Sequence, residues 1–515
     1  MKVLLICAPN SVPFYASPQL GVFRIGHHLE KSGLNCDIFD PNMDEAAQWP
    51  GEDYGLIGVS GNNMGMQQCL DLVHHFQSRQ KRAAFLAAGG ITPTYNYNDW
   101  LDCGFDAVVL GYGEEPLAAL ARAADRFEPD RESVLSRIAG LAWRGRDGET
   151  RVNPARPLTA ELFNRLSYEN MLDINIPYEK YWALNEKVVD QLSVDHNAFI
   201  VKTIRLFTSS QCPNRCGYCP SKFLSKAQGS PARRLALEPG ESLELIRLAW
   251  ERHGCDLAFF NDEEFLCDKE TAKELCRRIV KAKEDGLLPR QLVFQCQSRA
   301  VDFLTRGSPD REMLALLDRA GFNRISLGVE NICERLLATP VMNKAQYRLE
   351  DIRAIVAAFK ETSIALTLNF MLLVPETTRE ELLANLKAIF SFLDEDVLIL
   401  LNLHILAAPG ASAVESGAYE LAMKKVTSPL NGWELEIPDR FRLRDPGLRE
   451  GLNRLDGLIA REMDEFLKSI GSRKECIATT SRAVVLCLAL LKMMDEPGLY
   501  AEFRRHLQRN AAAAP

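Results

Sequence analysis

The sequence predicts an α/β protein with two successive parallel sheets and a mainly helical C-terminal segment. Three observations lead there. Apolar runs of four or five residues alternate with helix-period segments from residue 3 to about 122. The same alternation resumes at residue 203 and runs through six strand–helix units. From about residue 411 the pattern turns to amphipathic helices. Short, wholly apolar strands joined by helices are the mark of parallel sheets buried on both faces.

The first sheet reads as strands at 3–6, 36–39, 56–60, 84–87 and 107–110, with helices at 21–31 and 67–77. Helix 21–31 stops at Ser32-Gly33, and the second strand closes on Asp40-Pro41. Glycines stand just beyond the third, fourth and fifth strands: Gly61, then Gly89 and Gly90, then Gly111 and Gly113. Ligands of doubly wound, Rossmann-like sheets bind outside the carboxyl ends of the strands, where glycine lets backbone come close. No G-x-G-x-x-G follows the first strand, which argues against a dinucleotide. A mixed stretch follows. Residues 138–143 with Asp147-Gly148 read as a small hairpin, and Pro154, Pro157 and Pro177 follow, as expected of a linker. Tyr178, Tyr181 and Trp182 are expected to pack at a domain interface.

The second run reads as strands at 203–208, 257–260, 292–295, 324–327, 365–370 and 397–403. Helices are expected at 239–253, 268–283, 308–320, 345–361 and 378–392, with Ser308 as a cap and Pro309 in the first turn. Helices at 448–470 and 478–494 complete the chain, and the tail NAAAAP is expected to fray. These signals divide the chain into 1–135, a linker 136–200, 201–410 and 411–515.

The net charge of −8 leaves no basic footprint, so nucleic acid is not an expected partner. The start, MKVLLICAPN, meets Pro9 at once and reads as a buried strand rather than a signal peptide. The longest apolar runs, 397–401 and 483–491, are far short of a membrane span. Fourteen scattered cysteines without a paired framework suggest reduced thiols and one metal loop, hence a cytoplasmic protein.

That loop is CPNRCGYC. Cys212, Cys216 and Cys219 are spaced C-x3-C-x2-C, directly after the first strand of the second run. Three thiolates there can hold three irons of a cubane and leave the fourth iron open, as chemistry requires. Zinc would want a fourth ligand, and a redox pair of Cys216 and Cys219 would leave Cys212 unexplained. Cys255, Cys267 and Cys296 also lie near strand ends, where buried structural thiols are commoner than ligands.

The loop, with Tyr218 before its last cysteine, resembles the cluster loop of the radical SAM superfamily. The resemblance implies a [4Fe–4S] cluster whose open iron chelates S-adenosylmethionine (SAM), on a partial (β/α)6 barrel with its chemistry at the carboxyl ends of the strands. Phe260–Phe265 matches the F-x-D-[DE]-x-F of the cobalamin-linked branch. One acid of Asp262 and Glu263, with Glu263 preferred, would hold the SAM ammonium. Ser298 and Arg299 match the branch's QSR, and Arg299 would pair with the SAM carboxylate or an acidic neighbour. Glu330 fits the family's GVE, near the ribose or a structural partner. Taken singly, an acidic pair after a strand is more often a helix cap and a lone arginine a surface ion pair. Their order after the cysteine loop joins them.

The first sheet similarly resembles the cobalamin-binding domain that precedes many radical SAM enzymes. The matching pieces are PQLG at 18–21, Val59-Ser60, GGITPT at 89–94 and LGYGEE at 110–115. The resemblance assigns cobalamin to Pro9, Leu20 and Gly21, then to Ser60, Gly61, Asn62 and Asn63. Around the fourth and fifth strands it assigns Gly89, Gly90, Thr92, Gly111, Gly113 and Glu114. The D-x-H-x-x-G of base-off cobalamin proteins is missing, since the first loop has no histidine and His74-His75 lie mid-helix. The lower face would then meet Gly61 to Met64.

The activity implied is a cobalamin-dependent radical SAM methyltransferase. A 5′-deoxyadenosyl radical would take hydrogen from an unactivated carbon, which would collect methyl from methylcobalamin. The substrate would be a small molecule, a natural-product or cofactor precursor, and the reductant an external flavodoxin or ferredoxin. The alternatives are a cyclase or rearrangement enzyme without methyl transfer, and a corrinoid carrier or sensor.

Overall fold

The computed structural model describes every residue except 10–15, 50, 52, 63, 124–126, 173, 193–199, 211, 222–228, 230–233, 345, 394, 396, 471–478 and 514–515. The chain forms two units. The first comprises Met1–Leu184, Ser209–Leu237 and Ala407–Arg440, and the second Asn185–Thr208, Glu238–Leu406 and Phe441–Pro515.

The first unit is built on a seven-stranded sheet of β1 (Lys2–Ile6), β2 (Asn35–Phe39), β3 (Leu56–Ser60), β4 (Phe85–Gly89), β5 (Ala107–Val109), β6 (Leu141–Arg144) and β7 (Thr150–Asn153). The order is β2-β1-β3-β4-β5-β6-β7. The first five strands are parallel. Successive side chains feed opposite cores. Leu4 and Ile6 join one cluster with Ile57, Val59 and Leu86, while Val3 and Leu5 join another with Leu56 and Phe85. Both faces are therefore covered, which explains why these strands carry no polar alternation. The order reverses between β1 and β3, the switch point at which such sheets bind ligands.

The hairpin within the expected linker belongs to this sheet. Ala107 pairs with Trp143 and Val109 with Leu141, antiparallel, and β7 follows β6. Without them β5 would present a bare edge of unpaired backbone groups. Tyr178, Tyr181 and Trp182 are all buried, and the Tyr181 hydroxyl donates to Asp40 at 2.6 Å.

The segment after the second sheet was expected to be helical, yet its first part is a pair of strands, Leu421–Thr427 and Glu434–Phe441. Up to Arg440 it is counted with the first unit. Val426 and Ile437 are buried in the cluster that also holds Met66, Leu70, Trp100 and Cys103. Gln67 and Thr427 exchange two hydrogen bonds at 2.9 Å. Ser428 donates to the Cys103 carbonyl at 2.6 Å, and Lys424 to that of Met64 at 3.0 Å. Long-range burial of this kind leaves no periodic trace beyond a short apolar alternation.

The second unit carries six parallel strands: β8 (Thr203–Leu206), β9 (Leu257–Phe260), β10 (Val293–Arg299), β11 (Phe322–Glu330), β12 (Ala365–Leu373) and β13 (Leu398–His404). They lie in chain order from β8 to β13. The helices between them are capped as their sequences suggest. Asp268 accepts from the Thr271 amide at 3.2 Å, and Thr378 and Glu381 form a reciprocal capping box. One start differs from expectation. Asp310, not Ser308, caps Arg311–Ala320 by accepting from the Met313 amide. Ser308-Pro309 instead pairs with Leu304-Thr305, so proline lies outside the helix.

Four helices close the chain: Pro446–Leu452, Leu455–Ile470, Thr479–Met493 and Pro497–Ala513. The tail is therefore helical through Ala513 rather than frayed. Buried Phe503 anchors it with its ring centroid 4.9 Å from that of Phe390. Among the described residues no helix is long and apolar enough to cross a membrane.

Burial of the strand pair in the first core makes a prediction. Ile437→Ala should cost about 2–5 kcal/mol in denaturant unfolding of the first unit. Met423→Ala, on the exposed side, should stay within about 0.5 kcal/mol.

Candidate functional site

The cysteine loop lies in the first unit. Its base is a short antiparallel pairing of Ser209-Ser210 with Leu235-Ala236. Cys212, Cys216 and Cys219 are half-buried and in no disulfide. Within the loop the Cys219 amide donates to the Cys216 carbonyl at 3.3 Å, and Asn214 Nδ2 donates to Cys212 Sγ at 3.2 Å. Three further bonds hold the loop from outside. The Tyr112 hydroxyl meets Ser210 Oγ at 2.8 Å. The Tyr95 hydroxyl donates to the Pro220 carbonyl at 2.9 Å. The Ala413 amide donates to the Gly217 carbonyl at 3.0 Å. Tyr218 is half-buried between the last two cysteines.

The donor set suits a cubane cluster. A cubane gives each of the three thiolates its own iron and leaves the fourth iron without a protein ligand. The loop thiols keep partial access to solvent, and ligation needs the thiolate. Cys255 and Cys296 are buried. Burial pushes the Cys255 thiol up to about 12 and that of Cys296 well above its ordinary value, which marks both as structural.

At the carboxyl edge of the first sheet glycines let main chain pack closely. The Gly61 amide donates to the Gly89 carbonyl at 2.8 Å. A Cβ on Gly61 would stand 2.5 Å from the Trp100 ring. Gly90 has φ +107°, and a Cβ there would lie 3.2 Å from the Gly61 carbonyl oxygen. Thr94 ties the shelf together, donating to the Gly90 carbonyl at 2.8 Å and accepting from the Gly111 amide at 3.0 Å. Gly61 is buried and shut in by the Trp100 ring, whereas Gly89, Gly90 and Gly111 are half-buried, so main chain at those three fits the flank of a broad planar ring such as a corrinoid. Ser60 and Thr92 are half-buried beside these glycines, and Asn62 Oδ1 accepts from the Gly65 amide at 2.7 Å. Pro9 is half-buried after β1, and Gly21 is exposed with open space at its Cβ position. Asn63 lies outside the described residues.

Two of the residues assigned to cobalamin have side chains turned to the protein. Leu20 is buried at the start of helix Leu20–Lys31. Glu114 is buried in an ion pair with Arg24 at 2.6 Å, and that guanidinium lies 5.3 Å from the Tyr112 ring centroid. Glu114 is therefore a countercharge, required because buried Arg24 cannot lose its proton. Gly113 is shut in, since a Cβ would meet Ile25 at 2.9 Å. The first unit's four histidines, His27, His28, His74 and His75, all sit on helices Leu20–Lys31 and Met66–Gln77.

In the second unit the polar residues follow the strand ends. Asp262 is buried and accepts from the Thr208 amide at 2.8 Å and its hydroxyl at 2.6 Å. Glu263 is exposed. Glu264, which sequence reasoning passed over, is only 4% exposed. Ser298 donates to it at 2.6 Å, and Arg299 Nε lies 3.4 Å away. Burial, then the nearby Asp302 carboxylate, push the Glu264 carboxyl up to about 8 against the opposing pull of Ser298, Arg299 and Lys344. Arg299 forks onto Asp302 at 2.9 and 2.8 Å, the acidic neighbour among its expected partners. Period two was the missed signal. Phe260, Asp262 and Glu264 fall on one side, and Glu263 on the other.

Glu330 ends β11 at a register shift, with φ +58°, in the left-handed region where a side chain is strained. Lys344 holds its carboxylate at 2.6 Å, with both side chains largely buried. A Cβ on Gly328 would fall 2.7 Å from Glu330 Oε1, which accounts for the glycine of GVE.

Comparisons with known proteins follow this geometry. Residues 10–121 match the B12 binding domain and residues 206–389 the radical SAM superfamily. The chain is 25% identical over 355 residues to the anaerobic magnesium-protoporphyrin IX monomethyl ester cyclase of Synechocystis, covering 65% of this chain. It is 25% identical over 354 residues to the cytidylyl-2-hydroxyethylphosphonate methyltransferase of Streptomyces wedmorensis, covering 62% of this chain. Each match spans 62% of the curated relative's length. In fold the chain is similar to the radical SAM methyltransferase TsrM of Kitasatospora setae, with TM-score 0.64, 18% identity and coverage of 100% and 99%. It is also similar to the cobalamin-dependent radical SAM enzyme OxsB, with TM-score 0.65, 15% identity and coverage of 99% and 80%.

Two variants test the roles of the buried acids. Glu114→Leu should destabilise the protein by about 3–5 kcal/mol by stranding Arg24, and Arg24→Met added to it should restore most of that loss. Glu264 has a folded pKa above its unfolded one, so the stability it contributes is full below about pH 4.3 and is lost as pH rises through about 8. Melting temperatures from pH 5 to 9 should therefore fall more steeply for wild type than for Glu264→Gln.

Proposed function

We propose that this chain, which joins a B12-binding domain to a radical SAM domain, is a cobalamin-dependent radical SAM enzyme that methylates an unactivated carbon of a small molecule. The observation that carries the reading is the triad of Cys212, Cys216 and Cys219, half-buried cysteines outside any disulfide, in the same unit as the glycine shelf. When bound, the cofactor set of [4Fe–4S] cluster, SAM and cobalamin supplies a carbon-centred radical and a methyl group.

The chain's own residues then have distinct tasks. Cys212, Cys216 and Cys219 hold the cluster and leave one iron open, with Tyr218 flanking it. Glu263, the exposed acid of its triplet, takes the SAM ammonium in a charge-assisted bond. Asp262 cannot share that task easily, because Thr208 already donates to it twice. Ser298 and Arg299 act on Glu264 and Asp302, and Glu330 acts through Lys344, so these residues shape the strand ends. Gly89, Gly90 and Gly111 give the corrinoid half-buried main chain, with Gly61 packed behind them on Trp100 and Ser60, Asn62 and Thr92 at the rim. An external one-electron donor such as flavodoxin or ferredoxin supplies the reducing equivalents.

The methyltransferase relative and the fold of TsrM support methylation. The cyclase relative, of equal identity, favours a second reading in which ring closure occurs without methyl transfer. Product mass separates them, because methylation adds one CH2 to the substrate.

Anaerobic purification with iron, sulfide and hydroxocobalamin should yield about four irons and one corrinoid per chain. Replacing all three cysteines by alanine should abolish the iron and SAM cleavage while corrinoid remains. A protein that keeps its fold but binds iron without corrinoid would sink the cobalamin assignment.

A further inference from the structure

We propose that Tyr95 is a positioning residue shared by the two cofactor sites, fixing the cysteine loop to the glycine shelf. The inference rests on the functional reading above. Tyr95 ends helix Ile91–Tyr95, which springs directly from Gly89 and Gly90. Its hydroxyl donates at 2.9 Å to the carbonyl of Pro220, the residue after Cys219. One side chain thus connects the shelf to the last cluster cysteine through a single hydrogen bond.

The ring has a fixed seat. Gly410 has φ +81°, and a Cβ there would stand 2.5 Å from the Tyr95 ring. Only glycine tolerates both the backbone conformation and the approach. Glu415 holds the same turn by accepting from the Gly410 amide at 2.9 Å. Three residues on, the Ala413 amide binds the Gly217 carbonyl inside the cysteine loop. The segment that presses on Tyr95 therefore also grips the loop that Tyr95 holds. Tyr112 supplies the matching bond at the loop's other end, through Ser210.

A bond to the main chain beside a ligand acts on a cluster through its orientation and solvent exposure. Such outer partners typically change metal affinity by 10–100-fold when removed. Tyr95→Phe removes one oxygen and leaves the ring in its seat. On the reconstituted full chain, corrinoid content and melting temperature should match wild type. Iron loss to a chelator should be about tenfold faster. The electron paramagnetic resonance spectrum and midpoint potential of the reduced cluster should both shift. Gly410→Ala, which displaces the ring from its other side, should move the spectrum in the same way without altering Tyr95. If both variants keep wild-type iron release, spectrum and potential, the inference is overturned. If wild type itself retains no iron, or no corrinoid, the functional reading fails first, and the proposal falls with it.

Discussion

A cysteine serves iron only as a thiolate, and burial opposes the thiolate. That constraint organises the chain's use of sulfur. In cores and between strands and helices, desolvation pushes Cys69, Cys103, Cys255 and Cys276 up to about 12, so those thiols pack as small apolar groups. Cys212, Cys216 and Cys219 stand instead on a loop with partial access to solvent. A loop that must stay open cannot be held by a core. It is held by hydrogen bonds from Tyr95 and Ala413 to its main chain and by one between the Tyr112 and Ser210 hydroxyls.

The acids obey the complementary rule. A buried carboxylate is costly unless donors surround it. Asp262 has Thr208, Glu114 has Arg24, and Glu330 has Lys344. Glu264 has Ser298 and a distant Arg299 that is already forked onto Asp302. Burial, then the Asp302 carboxylate, outweigh the pull of Ser298, Arg299 and Lys344, hence its raised carboxyl. Of the triplet, Glu263 faces solvent while Asp262 and Glu264 are buried.

Much of the fold was legible because its signals are local. Apolar strands alternating with helices appear wherever two helix-covered faces bury a parallel sheet, as in Val3–Ile6 and Leu257–Phe260. Glycines after β3, β4 and β5 were legible as places of close backbone approach because their position relative to a strand is itself a sequence feature. The strands Leu141–Arg144 and Thr150–Asn153 read as a hairpin but not as part of the first sheet, because edge pairing to β5 is a long-range choice. The helix start at Asp310 was displaced for a similar reason. Ser308-Pro309 found a partner in Leu304-Thr305, and no local propensity encodes that.

The sequence alone determined the two sheets, the spacing of the cysteine triad, and the glycines at the strand ends, since each depends on spacing within a few residues. Tertiary structure alone decided that Glu263 is exposed where Asp262 and Glu264 are buried, that Glu114 answers Arg24 ninety residues away, and that strands after residue 420 complete the first core. It also decided that Tyr95 reaches Pro220 across 125 residues. The physical reason is the same throughout. Periodicity and turn chemistry are carried by neighbours in the chain, whereas charge compensation, edge pairing and burial are settled by whichever distant group the fold brings within 3 Å.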